Sequence, residues 1–369
     1  MRAELLSDRA LGRATLARQL LLQRAELSPL EAVERLVGLQ AQVPRDPYTA
    51  LWSRLDGFRP DELSRLLHER RVVRTTVMRG TIHLVTADDA LLLRPLVQPV
   101  LDRELARHRD FSPLLAGVEL EPVLAVAREA LAEPRSGPQL RAALAERFPQ
   151  HDPAALAYAC RCLLPLVQVP PRGLWGLSGG VVTTTAEAWL GRPLATLPSL
   201  DDVVLRYFAA FGPASVADAA TWSRLTGLRA VVDRLRPRLR AFRDERGREL
   251  VDLPDAPRPD PDTPAPPRFL PEYDNVLLSH ANRGRLVAPD VRARIGRAWT
   301  NGAGSFLVDG RVCGLWRLER DGDRAILDVR HGGRLPRRAA ASVAAEGRRF
   351  LRFAAADADE RDVRLAPLD

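Results

Sequence analysis

Gln40 and Gln42 flank Ala41 just ahead of Val43-Pro44, setting two neutral amides two residues apart. An amide does not exchange a proton near neutral pH, so such a pair cannot act as a general base. It can hold a water molecule and aim dipoles at charge that develops on an already activated substrate. The elements that would position it start at Ser28-Pro29-Leu30-Glu31, where a serine cap, a proline at the first helical position and a glutamate complete a capping box. Val33, Leu36, Val37 and Gln40 then recur on one helical face, so Gln40 is expected to continue an apolar stripe into the protein. Pro44 disfavours helical geometry at Val43, which puts Gln42 at or just past the helix end. Taken locally, one amide would satisfy loose carbonyls at that end and the other would be a surface residue.

Other groups could do chemistry. In Arg79-Gly80-Thr81-Ile82-His83 polar residues alternate, so Arg79, Thr81 and His83 are expected on one strand face, as DNA contacts or around a structural histidine. Asp274-Asn275, His280, Asn282, Arg283 and Arg285 form the densest polar group of the C-terminal region, either a loop lining a cleft or a hydrogen-bonded scaffold. Arginines crowd the stretch from Arg229 to Arg248, where they could track phosphates or form a solvated face paired with Asp233, Asp244 and Glu245. Gly176-Leu177-Ser178-Gly179-Gly180 fits the nucleophile-elbow pattern, but a strand follows it where a helix is required, so it reads as a wing turn. The acidic cluster at Asp357, Asp359, Glu360 and Asp362 reads as solvation of a terminal segment. No zinc-protease, phosphate-loop or dinucleotide motif occurs, so neither a metal nor another cofactor is expected.

The 369 residues carry a net charge of +8, which favours an anionic partner such as nucleic acid. Each of the 55 basic residues is arginine, a bias that a GC-rich genome would produce. Its physical consequences are bidentate phosphate binding and the absence of any side-chain amine for Schiff-base chemistry. Cys160, Cys162 and Cys313 are too few for a disulfide framework and are expected to be thiols in a reducing cytoplasm. No apolar run is long enough for a membrane span, so the expectation is a cytoplasmic monomer without a membrane partner.

The fold class expected is α+β. A helical motif recurs at Ala10, Ser136 and Gly212, and β-prone pairs follow, as in winged helix-turn-helix units. The organisation read from this is a first unit over residues 1–112 carrying the glutamine pair, a second over 113–197 and a third over 198–253. A proline-rich linker over 254–268 leads to a β-rich region over 269–369 with a final arginine-rich helix. In that region, FLPEYDNVLLSHANRGRLV and the strands after it suggest a meander with Asp309-Gly310 as a hairpin turn. The last segment, DADERDVRLAPLD, reads as a solvated end.

The QAQ motif followed by PRDPY, the MRGTIHLV segment, FLPEYDNVLLSHANRGR and the VDGRVCGLWRL hairpin together resemble the AlkZ/YcaQ-like family of bacterial DNA glycosylases, over nearly the whole chain. That resemblance implies three tandem winged helices in a C-shaped scaffold with a basic concave face, and duplex DNA bearing alkylated purines as the partner. It maps the catalytic motif onto Gln40, Ala41 and Gln42, in the double-glutamine form of the branch associated with producers of DNA-alkylating natural products. It also implies a hairpin in the cleft, for which Asp309-Gly310-Arg311 is one candidate. Expected DNA contacts are Arg45, Tyr48, Arg79, Thr81, His83, Asn275, His280, Asn282, Arg283 and Arg311.

The chemistry then suits two amides. A guanine alkylated at N7 is cationic and leaves without protonation, so Gln40 and Gln42 would hold the attacking water and steady the sugar cation through their carbonyl oxygens. Competing readings are a winged-helix transcription regulator, in which glutamine reads adenine, and a damage-binding protein without turnover.

Overall fold

The computed structural model describes residues 4–296 and 302–368. One order of elements, helix, strand, two helices and two wing strands, occurs twice in full and a third time with a bridge in place of the short strand. The first set is helix Pro29–Arg35, strand Leu39–Gln40, helices Asp46–Arg54 and Pro60–His68, and wing strands Val72–Thr76 and Ile82–Thr86. The second is Leu120–Ala130, Arg135–Ser136, Gly137–Arg147, Pro153–Leu163, Leu166–Gln168 and Val182–Thr185. The third is Leu200–Phe211, a bridge between Ala214 and Val251, Val216–Ser223, Leu228–Leu235, Arg240–Asp244 and Glu249–Asp252. The first two wings join edge to edge through Thr75 and Val167, making one six-stranded sheet.

The N-terminal segment departs from the expected organisation. Strand Glu4–Leu6 pairs in parallel with Arg240–Asp244, and helix Asp8–Arg18 packs against the third set of helices. The helical motif at Ala10 is therefore not the helix-turn-helix of the first set. Arg18, on that helix, donates to both carboxylate oxygens of Asp252 at 2.6 and 2.7 Å and to the carbonyl of Phe208 at 2.8 Å.

The proline-rich stretch forms no helix or strand before Arg268, but it is more tightly held than a free linker. Arg13 donates to the Thr263 carbonyl at 2.7 Å, and Arg18 to that of Pro257. Beyond it, strands Arg268–Leu270, Gly304–Val308, Arg311–Asp321, Arg324–His331 and Glu360–Pro367 lie side by side in that order. Two expectations are corrected here. The segment from Phe269 gives only a three-residue strand and a helical turn, Asn275–Leu278, because Asp274 caps that turn by accepting from Val276 N at 3.0 Å. The last segment is an edge strand in parallel register with Arg324–His331, and its acidic residues Asp357 and Glu360 pair with Arg320 and Arg324.

Helix Arg337–Ala354 buries Val343, Gly347, Phe350 and Leu351 on one stripe, at helical spacing. Its Phe350 and Phe353 rings lie 5.1 and 5.7 Å from Trp52, so this helix covers Asp46–Arg54, the helix that follows the glutamine pair. Cys160 and Cys162 are buried thiols, while Cys313 is half-buried.

Arg18 and Asp252 are 1% and 0% exposed, and removing one partner strands a buried charge. Arg18→Leu should lower unfolding stability by about 3 kcal/mol, the low end of the usual range because Arg258 still reaches Asp252. Urea unfolding of both proteins measures this, and a loss below about 1 kcal/mol would mean the pair is dispensable.

Candidate active site

The helix that opens the first set stops earlier than the sequence pattern suggests. Leu36 caps it, Val37 and Gly38 take φ of 55° and 89°, and the chain enters strand Leu39–Gln40 with Gln40 opposite His83. A Cβ on Gly38 would meet Val85 Cγ1 at 2.7 Å, so only glycine fits, and this glycine is the stop signal that the apolar stripe obscured. Gln40 is buried all the same, at 7% exposed, but as a strand residue. Gln42 is exposed, and its Oε1 accepts a long hydrogen bond of 3.4 Å from Ile82 N.

Arg79 does not share a strand face with Thr81 and His83. It sits at φ 60° in the tight turn between the wing strands, where the Thr81 hydroxyl donates to the Met78 carbonyl at 3.1 Å. From there its Nη2 donates to Gln40 Oε1 and to Asn275 Oδ1 at 2.8 Å, and lies 3.2 Å from His83 Nε2. A guanidinium only donates, so the Gln40 atom that faces it is the carbonyl oxygen, and His83 Nε2 offers a lone pair. His83 Nδ1 then carries the proton and donates to the Thr81 carbonyl at 3.0 Å. Burial, aided by the Arg79 charge, pushes His83 down to about 3, so it is neutral at physiological pH. The expectation that Gln40 offers its carbonyl to substrate is corrected: that oxygen faces Arg79.

Arg74, which the sequence reading passed over, donates from Nη2 to the Ala41 carbonyl at 2.8 Å. One arginine thus holds the first amide and another the backbone of the middle residue. Burial pulls both guanidiniums down to about 10, and like charges add to the effect: Arg172 beside Arg74, and Arg224 and Arg283 beside Arg79. Among the described residues, no carboxylate pairs with either.

The second half of the site comes from the segment after Leu270. Arg54 donates to both oxygens of Asp274 at 2.7 and 2.8 Å, and Asn275 Nδ2 donates to the Gly38 carbonyl at 3.2 Å. The same docking surrounds Asp46 with acids. Asp46 is 7% exposed, and its Oδ2 has no hydrogen-bond partner among the described residues. Burial, then the charges of Glu272 and Asp274, raise it to about 8. Nothing in Pro44-Arg45-Asp46-Pro47 marks this acid, because the acids that help raise it, Glu272 and Asp274, lie over 220 positions away.

The other expected contacts divide. Arg45 is exposed, and Thr81, Asn282, Arg283 and Arg311 are partly so. Tyr48 is 1% exposed and donates to the Gly173 carbonyl at 2.8 Å, which removes it from any DNA-facing surface. His280 is likewise buried, its Nε2 donating to the Phe211 carbonyl at 2.9 Å, and Arg285 Nη1 donates to that of Pro213 at 2.9 Å. Of the two roles open to this polar group, these residues play the scaffold. The Asp309-Gly310 turn forms as expected, but Asp309 pairs with Arg9 and Arg13, so its tip rests on helix Asp8–Arg18 and does not project freely. The arginines after Arg229 are largely paired, Arg234 with Asp201, Arg236 with Glu249 and Arg248 with Asp244. Among the described residues no group of three histidine, cysteine or acidic side chains could hold a metal ion.

Asp46 keeps its proton in the fold up to about pH 8, whereas the unfolded chain loses it near 3.8. Between those values the folded state binds more protons, so its stability falls as pH rises. Asp46→Asn removes this dependence. Its melting temperature should exceed that of wild type by a few degrees at pH 8.5 and match it near pH 4, and thermal melts across the window test this; a difference independent of pH would count against it.

The chain matches the family model described as DNA glycosylase AlkZ-like over residues 33–353, a span that takes in the glutamine pair, the wing turn at Arg79 and the docking segment. Among solved structures, Streptomyces sahachiroi DNA glycosylase AlkZ superposes with a TM-score of 0.76 at 21% identity, covering 98% of this chain and 99% of that one, which is likeness of fold. No curated protein sequence matches. With most of its length inside the family model, this chain belongs to the AlkZ-like DNA glycosylases.

Proposed function

We propose that the protein is a monofunctional glycosylase that hydrolyses the N-glycosidic bond of N7-alkylguanines in duplex DNA, bulky or crosslinked adducts included, and that it serves in self-resistance to a DNA-alkylating natural product. The observation that carries this reading is a site whose centre is amide rather than acid or base. Gln40 is held between strand and arginine, Gln42 is open to solvent, and the histidine beside them is neutral. Such a site suits a substrate that needs no proton to leave. The C1′–N9 bonding pair departs with the cationic purine, which leaves neutral, and a water held by the two glutamines bonds to C1′ while its proton passes to solvent.

A lysine-free chain supports the monofunctional part, since no side-chain amine can form a Schiff base with the abasic sugar. The charges of Arg224 and Arg283, which lie near Arg79, favour phosphates, and Arg45, Thr81, Arg283 and Arg311 keep surface with which to meet DNA. Arg79 serves the Gln40 amide directly, and His83 and Asn275 serve it through Arg79. The protein acts as a monomer on this reading.

Release of 7-methylguanine and of a bulky natural-product adduct from duplex DNA tests the proposal. Wild type should release base, and Gln40→Ala and Gln42→Ala should each lose at least about tenfold in single-turnover rate while still binding DNA. Borohydride should trap no covalent adduct. Variants as fast as wild type would make the glutamines structural, and a trapped adduct would make the enzyme bifunctional.

A further inference from the structure

We propose that Arg79 is a positioning residue that fixes the Gln40 amide with its nitrogen turned away from the guanidinium, so that Gln40 works as a hydrogen-bond donor and Gln42 as the acceptor. This rests on the glycosylase reading above. The geometry leaves Gln40 one orientation. Its Oε1 faces Nη2 of Arg79, and turning the amide over would set NH2 against a guanidinium, two donors with no acceptor between them. Nε2 of Gln40 meets no acceptor in the protein among the described residues and is free for a ligand.

Arg79 is itself over-determined. Nη2 reaches Gln40 and Asn275, Nη1 reaches the Trp222 carbonyl at 3.3 Å, and Asn275 is in turn tied to the Gly38 carbonyl. The backbone at Arg79 adopts φ 60°, a conformation that disfavours any residue with a Cβ, yet a long cationic side chain occupies it. A guanidinium spent on neutral amides and carbonyls, with no carboxylate among the described residues to neutralise it, is an expensive way to make a turn. It polarises the Gln40 amide and strengthens Nε2–H as a donor.

The two glutamines then divide one water between them. Gln40 N–H donates to the water oxygen, and Gln42 C=O accepts one of its protons. One lone pair remains for C1′ and one O–H for solvent. A donor weakens the nucleophile slightly, but a sugar cation needs a water in the right place more than an activated one.

The roles predict an asymmetry. Gln40→Glu pairs with Arg79, offers no donor and should lose at least about tenfold in single-turnover rate, a larger loss than in Gln42→Glu, which keeps an acceptor. Arg79→Met should lose a similar factor with DNA affinity and its salt dependence unchanged, and should add nothing in a Gln40→Ala background. Additive losses, or a salt slope reduced by about one, would make Arg79 a structural or phosphate-contacting residue and overturn the proposal. The side-chain NH2 signals of Gln40 in 15N-labelled protein, assigned by their absence from Gln40→Ala, give a readout without turnover. They should move in Arg79→Met and stay near the wild-type positions in Arg79→Lys. If wild type releases no base, the glycosylase reading falls and this spectrum alone decides on Arg79: unmoved signals in Arg79→Met overturn it.

Discussion

A guanidinium taken out of water must find acceptors for its donors, and in this chain that requirement joins distant segments. Arg54 and Asp274 are 1% and 2% exposed and bonded through both oxygens. Their pairing fastens the segment after Leu270 onto helix Asp46–Arg54. Asn275 thereby comes within reach of Gly38 and Arg79, and Glu272 comes within electrostatic range of Asp46. Arg18 with Asp252 does the same for the N-terminal helix, and Arg285 ties that helix to the third set through Thr15 and Pro213. Apolar packing supplies most of the stabilisation of such a fold, but it has little direction. The arginine clamps have direction, and they set the two halves of the site in register.

The electrostatics of the site follow from that register. A cation lies behind one amide, and an acid kept protonated by burial and by other acids lies four residues beyond the second. The histidine on the second wing strand is held neutral by burial, helped by the charge of the arginine that supports Gln40. None of these groups changes charge easily near pH 7 except Asp46. Apart from Asp46, a site so arranged offers fixed dipoles rather than exchangeable protons.

What the sequence discloses here is whatever closes locally. The capping box at Ser28 and Glu31, the wing strands around Arg79 and the Asp309-Gly310 turn all form as read, because their hydrogen bonds lie within a few residues. Readings that depend on distant partners fail. The Ala10 helix looks like the start of the first unit but docks on the third, and the terminal strand needs Arg324–His331 beside it to exist. Tyr48 and His280 look like surface polarity until their backbone acceptors, Gly173 and Phe211, are brought to them. The helix end before Gln40 was a local signal outweighed by a periodic one: Gly38 stops the helix, yet the apolar spacing runs through it. The glutamines themselves were visible, but not the direction in which Gln40 points, which is set by an arginine 39 residues away.

Arg79 is followed by Gly80, so the turn already contains one residue suited to left-handed backbone and one that is not. Glycine at 79 would relax the backbone by about 1 kcal/mol and relieve the burial of an uncompensated cation. The same change would leave the carbonyl oxygens of Gln40 and Asn275 without the guanidinium that satisfies them, and the glutamine unanchored. Arginine at this turn therefore exchanges backbone ease for an anchored amide.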